Sequence, residues 1–562
     1  MMPSSPNAGP DKGSPLRRFG PLIAVVVVAV IIGAVVLAGG SDSKKSTSAS
    51  SSSGSASSSG SVTGALSFSQ AKAAGRTDVT FPDGCDKETG RAAIPYYFAG
   101  ECYANVADNG GATARGVTAD SITVVVYVAP ESDPILDFIT SAVKDNDTNQ
   151  QVQDTYQGFT DLFQRYYQTY GRTVKLQFLH GSGASNDAVA ARADAAKAVD
   201  ELGAFAVWGG PVLTDAWTQE IKARGAICLA CPAIDDPAPS VFTVTASDEQ
   251  TRLQLVEYVS KKLNGQPAKF AGDPAMQSQT RKIGELYIDT GGNEKTGAED
   301  LKTKLAAQGT DLSVQIAYAL DPSRLQEQAT NAIAQLKSAG ITTVIFVGDP
   351  VAPATFTKEA TSQNYFPEWV LGGSALVDTT AFGRTYDQQQ WSHAFGISSL
   401  TARIKPNVAD AQALYAWFKG SPAPAIDTAG VLFPQPALFF NALQAAGPKL
   451  TVDTFREGMF SIPPSTTAKT AATISFGDHG YWPTTDFNGI DDFTEVWWDA
   501  TATGPDEIRK DGTGMLAYVD GGTRYLPGTW TKDLKVFDKA GAVTIYDTAP
   551  AGEAPKSYPS PN

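Results

Sequence analysis

ITVVVYV, residues 122–128, is a continuous β-branched run with no polar alternation. Such a run fits a strand buried on both faces, as in a parallel sheet covered by helices, better than a half-solvated antiparallel strand. Downstream, Val152, Tyr156, Phe159, Phe163, Tyr166 and Tyr170 recur at spacings of 4, 3, 4, 3 and 4. That is one apolar stripe on a helix, and Gly171 supplies a natural C-cap. Residues 174–179 read as the next strand, Asn186 and Asp187 open an Ala-rich helix to Leu202, and 205–208 is a further short strand. Thr214 or Asp215 caps a helix carrying Trp217 and Ile221, and 226–229 returns to strand.

The same rhythm recurs toward the C-terminus. Helices are expected over 248–263, 299–308 and 323–339, with strands over 312–319 and 341–347, the last reading ITTVIFV. Repeated strand–helix units imply open, mainly parallel α/β sheets. Two such halves imply a bilobed molecule with a cleft beyond the carboxyl ends of the strands. The positions after Val128, Trp208, Leu229 and Val347 are therefore the ones to inspect for a ligand.

Composition narrows the class. The chain has 562 residues, 42% of them apolar, and a formal net charge of -15. An acidic surface without a basic cluster disfavours nucleic acid as a partner. Three dispersed histidines (His180, His393, His479) give little basis for a metal centre, and no cofactor fingerprint occurs. No nucleophile elbow is present, and His180 with Gly181-Ser182-Gly183 does not form one, so an enzyme is not expected.

Residues 19–38, FGPLIAVVVVAVIIGAVVLA, hold no charge and follow Arg17-Arg18. As a helix this spans roughly 30 Å, the thickness of a bilayer core. The positive-inside bias gives a cytoplasmic stub (1–18), a transmembrane helix (19–40) and an extracytoplasmic body. Cleavage near Leu37-Ala38-Gly39-Gly40 is the rival reading, and either way the body is exported. Residues 46–61 contain eleven serines in sixteen positions, so 41–64 reads as a flexible stalk. The region 65–120 reads as an extension stapled by Cys85 and Cys102 around Tyr96-Tyr97-Phe98, or else as a loosely ordered leader. Cys228-Leu-Ala-Cys231 reads as a structural disulfide, with free thiols or a redox or metal pair as alternatives. Export and an even count predict pairing of 85 with 102 and of 228 with 231.

Several stretches together resemble the type I periplasmic solute-binding proteins of ABC transporters, the branched-chain amino-acid receptor branch. They are ITVVVYVAPESDP (122–134), YQGFTDLFQRYYQTYGRTVKLQFLHG (156–181), AVWGGPVLTDAW (206–217), GAICLACPA (225–233), the long segment 336–376 and VDTFREGMF (452–460). The likeness covers about 120–460. It implies lobe 1 over 121–245, lobe 2 over 246–375, return segments of both lobes over 376–460, and an aromatic-rich region (461–562) packed on the lobes. It also implies capture of a small polar solute, an amino acid or a relative, and delivery to an ABC permease. Two departures stand out. AKFAGDPAMQSQTRKIGELYI (268–288) is polar where the family's second lobe begins with a strand, and the lipid-anchoring cysteine is replaced by the apolar segment. These favour an alternative, a fold-retaining receptor-like structural or regulatory envelope protein without a transport role.

The strand-end rule nominates ligand-binding residues. Gly209, Gly210, Pro211 and Thr214 form a turn into a helix N-terminus suited to a carboxylate. Glu131, Ser132 and the adjacent Asp133 follow the first strand and suit an ammonium or polyol. Asp349 after 341–347 is a candidate counter-ion for an ammonium, with helix capping as its competing role, and Asp378 has the same rationale one strand later.

Overall fold

The computed structural model describes residues 64–134, 136, 146–232, 234, 239–289, 294–373, 376–465 and 467–562. The stub 1–18, the apolar segment 19–40 and all but the last residue of the stalk 41–64 lie outside the described residues. Among the described residues no helix is long and apolar enough to cross a membrane.

The run that decides the fold is β1 (Ser121–Val128), whose last five residues are all buried. It pairs in parallel along its whole length with β2 (Thr173–His180) and on its other side with β3 (Ala206–Trp208). Parallel pairing continues through β4 (Ile227–Leu229) to β5 (Val241–Phe242), giving the order β2-β1-β3-β4-β5. Between β1 and β2 runs α1 (Asn149–Tyr166), started by a capping box in which Thr148 accepts from Gln151 N and Gln151 reaches back to Thr148 N. The helix ends four residues before the end of the apolar stripe. Tyr167 is already extended, and Tyr170 adopts φ +55° so that its hydroxyl donates to the Gln444 carbonyl. α2 (Ala188–Ala196) and α3 (Ala216–Ala223) cover the other face.

The second half repeats this order. After α4 (Asp248–Tyr258) come β6 (Ile283–Ile288), α5 (Glu294–Ala307), β7 (Leu312–Tyr318), α6 (Leu325–Ser338), β8 (Thr343–Val347), α7 (Ala352–Ser362), β9 (Glu368–Gly372), the short α8 (Thr380–Gly383) and β10 (Ala394–Ser398). The sheet runs β7-β6-β8-β9-β10 in parallel, the same relative order as in the first half. The strand β6 was not expected in the sequence, where 268–288 read as polar. Its pattern is broken by Gly284 and Glu285, yet Glu285 is buried, pushed up to about 7 by that burial, and accepts from Gln315 Nε2 at 2.7 Å. A Cβ at Gly284 would come within 3.2 Å of Ile341 and Leu336, so glycine there permits close packing.

The chain then returns to the first half. α9 (Ala411–Lys419), the short α10 (Ala429–Leu432), α11 (Pro434–Ala446) and α12 (Val452–Ser461) complete its core. Phe163 of α1 stacks on Phe440 at 5.7 Å, and Trp208 meets Phe439 at 5.5 Å. Finally β11 (Phe493–Pro505) pairs antiparallel with β10, and β12 (Asp511–Tyr518) with β11, extending the second sheet. The first and last passages between the halves run side by side: Thr243 N donates to Phe487 O at 3.0 Å and Gly489 N to Thr243 O at 3.1 Å. Each sheet has its own outer core, whereas the inner faces share one continuous cluster from Val124 and Trp208 to Ile345 and Phe395. Two open, mainly parallel sheets flanked by helices thus form the two halves.

The segment 64–120 docks on the first half. Cys85 and Cys102 form a disulfide, as do Cys228 and Cys231, and no cysteine is free. Tyr96 meets Phe433 at 5.2 Å. The buried guanidinium of Arg172 donates to the carbonyls of Asn109, Gly111, Thr118 and Pro448, joining this segment to β2 and to the stretch after α11.

Candidate functional site

The nominated strand-end residues have separate local surroundings. Glu131 and Ser132 are exposed, while Asp133 beside them is buried and accepts from Ser185 N. Gly209 has φ +73°, and a Cβ at Gly210 would lie 2.6 Å from the indole of Trp217, so glycine lets that buried ring pack under the turn. Pro211 is buried, and the Thr214 hydroxyl accepts from Ala216 N, the first residue of α3, at 3.2 Å. Asp349 is buried and accepts from Val351 N, Ala352 N and the Tyr318 hydroxyl at 2.8, 2.9 and 2.7 Å. Burial raises its pKa against the lowering effect of those bonds. Asp378 is buried on Ser398, whose hydroxyl donates at 2.5 Å, and burial pushes it up to about 7. Cys228 and Cys231 are both buried at the end of β4.

None of the eight nominated ligand residues lines the cavity of about 150 Å³ that opens between the two halves. Its walls come from seven separated stretches. One wall is Tyr96, Tyr97 and Phe98 together with Asp427, Gly430 and Val431. These belong to the first half: Tyr97 and Phe98 lie edge to face at 4.7 Å, and Asp147, two residues before α1, accepts from Asp427 N and Thr428 N. The opposite wall is Leu400–Ile404, which follows the carboxyl end of β10, and Tyr518 of β12. Glu553 and Pro555 close one edge.

The hairpin loop 506–510, between β11 and β12, reaches across from the second half. Arg509 pairs with Asp410 and donates to the Ile426 carbonyl at 2.8 Å, and Lys510 Nζ lies 3.2 Å from Asp427. On its own side Asp506 meets Arg384 at 3.3 Å and Glu507 meets Arg403 at 3.4 Å. Glu507 also accepts from Thr380 N and Ala381 N at the start of α8. Burial, then the neighbouring Glu507 charge, raises Asp506 above the ordinary carboxylate range against its own hydrogen bonds and Arg384. Among these residues the sequence singles out the Tyr96-Tyr97-Phe98 patch and Tyr518 of the aromatic-rich C-terminal region, neither as a ligand site, because the strand-end rule finds loops and not the distant segments that face them. No cluster of three or more His, Cys, Asp or Glu side chains that could hold a metal occurs among the described residues.

No family model and no curated protein matches this chain. Solved structures similar to it include a type 1 periplasmic binding protein from Bordetella pertussis Tohama I, at 13% identity, TM-score 0.47, covering 70% of this chain and 100% of that one. A branched-chain amino acid transporter substrate binding protein from Streptococcus pneumoniae, in complex with isoleucine, matches at 14% identity and TM-score 0.46 over 71% of this chain and 100% of its own. A fatty acid ABC transporter substrate-binding protein from Thermomonospora curvata matches at 12% and 0.48 over 76% and 99%. At these values the likeness carries nothing about ligand or partner.

Proposed function

We propose that this protein is an extracytoplasmic solute-binding protein that takes a small polar solute, an amino acid or a related compound, between its two halves. The observation that carries this reading is the cavity itself. Both halves repeat one parallel strand order, and the cavity is walled by both of them where the chain leaves β10. Open α/β sheets bind ligands outside the carboxyl ends of their strands, and a space enclosed by two such units suits the capture of a small molecule. Within this reading Glu131, Ser132, Gly209, Gly210, Pro211, Thr214, Asp349 and Asp378, none of which lines the cavity, stay ligand candidates on the strand-end rule alone. Tethering by residues 19–40 and delivery to an ABC permease are parts of the proposal that rest on the sequence.

The test is calorimetric titration of residues 64–562 against amino acids, small carboxylic acids, amines and neutral polyols. Saturable binding of any one class, weakened by Tyr97→Ala, supports the reading. No heat and no thermal shift across the whole panel overturns it. That outcome favours the structural or regulatory alternative, to which the ion pairs of the hairpin loop already lend weight by fastening one half to the other.

A further inference from the structure

The carboxylates around the interlobe cavity are the place to ask which solute it takes, and the answer rests on the solute-binding reading above. Five carboxylates line the space, those of Asp410, Asp427, Asp506, Glu507 and Glu553, against the two guanidiniums of Arg403 and Arg509. Four of the five have a cationic partner: Arg509 on Asp410, Lys510 on Asp427, Arg384 on Asp506 and Arg403 on Glu507. Glu553 has none among the described residues. Its oxygens accept only from Lys469 N, Thr470 N and the Thr470 hydroxyl.

Two further features point the same way. Tyr518 is 1% exposed, its side chain borders the cavity, and its hydroxyl makes no hydrogen bond among the described residues. A phenol left without a partner in a buried wall can accept a bond from an ammonium N–H or face a methylated nitrogen. The opposite wall offers the rings of Tyr96, Tyr97 and Phe98, with Tyr97 half-buried, and aromatic faces attract organic cations. An anion meets the reverse situation. Both lining guanidiniums lie beside carboxylates, Arg509 on Asp410 and Arg403 Nε 3.4 Å from Glu507 without a hydrogen bond to it, so a bound carboxylate would meet a like charge at either one.

We infer that the cavity is a site for a small organic monocation, an alkylammonium held by the unpaired Glu553 and the Tyr518 hydroxyl against the wall of Tyr96, Tyr97 and Phe98. A single positive charge completes the pairing, and a cavity of about 150 Å³ admits only a small molecule.

The experiment is titration of residues 64–562 with choline, tetramethylammonium and butylamine. The control is the uncharged carbon isostere of choline, in which a tert-butyl group replaces the trimethylammonium. At least one cation should bind at least about tenfold more tightly than the isostere. Glu553→Gln should weaken the cation by about tenfold and leave the isostere unchanged, and Tyr97→Ala should weaken the cation by about tenfold and the isostere by less. Thermal midpoints of the variants show that they fold, and Tyr518→Phe gives a second reading in which only a hydroxyl is lost. Equal affinity for cation and isostere overturns the inference, as does cation binding unaffected by all three substitutions. If carboxylic acids or neutral solutes bind and the cations do not, this inference fails while the solute-binding reading stands. Silence across all probes overturns both.

Discussion

A carboxylate just past a buried strand can be satisfied by a ligand or by the helix that follows, and Asp349 finds its donors in α7 and in Tyr318. Removing it as Asp349→Ala should cost about 1–2 kcal/mol, the loss of an N-cap, read as a lower denaturant midpoint. Asp349→Asn keeps a capping oxygen and should cost far less, which makes it the variant in which any effect on solute affinity can be measured cleanly. Asp378 permits a prediction about pH. Burial lifts its folded pKa to about 7, whereas an unfolded aspartate titrates near ~4. Between those values the folded state holds the extra proton. Its contribution is therefore complete below about pH 4 and is lost as pH rises through 7. The denaturation midpoint should be higher at pH 5 than at pH 8, and Asp378→Asn should flatten that slope. An unchanged slope in the variant would show that other groups set it, with Glu285, also near 7, the first to replace by glutamine.

At the scale of elements, the loop between β11 and β12 is the piece with a testable attachment. Its bonds to the first half are partly exposed ion pairs, with Arg509 and Asp410 at 20% and 24% side-chain exposure, and such pairs contribute at most about 1 kcal/mol each. Arg509→Glu combined with Lys510→Glu should leave overall stability nearly unchanged yet free the loop, seen as new proteolytic cuts within 506–510. High salt should produce part of the same effect in the parent protein. The strands β1 and β8 were legible because their runs are apolar without interruption. The strand β6 was not, because Glu285 is tolerated in a buried strand only through Gln315, a partner on β7 that a local pattern cannot reveal. The end of α1 was overestimated for a related reason: Tyr170 continues the apolar stripe by packing, after the helical backbone has already stopped.

For the whole molecule, the cavity was illegible because its walls come from residues near 97, 402, 428, 470, 507, 518 and 553, which no spacing rule connects. The two halves were legible, but not their dependence on each other. The first sheet is covered by α11 and α12 from far along the chain, so a fragment ending at residue 245 should fail to give a cooperative melt, while 64–562 should melt cooperatively. Both disulfides close short local loops, and alkylation of the denatured, unreduced chain should add no label; uptake of two labels would refute one pair. The pairing of β10 with β11 has a consequence in time. A chain threaded through a membrane from its amino end delivers Ala394–Ser398 long before Phe493–Pro505 arrives to cover it. For that interval a fully apolar-walled strand presents an open row of amides and carbonyls, the kind of edge that recruits foreign strands. Under the proposed export, the journey outward is the moment when this protein most needs a chaperone, and crowding at the exit, rather than heat, should be what makes it aggregate.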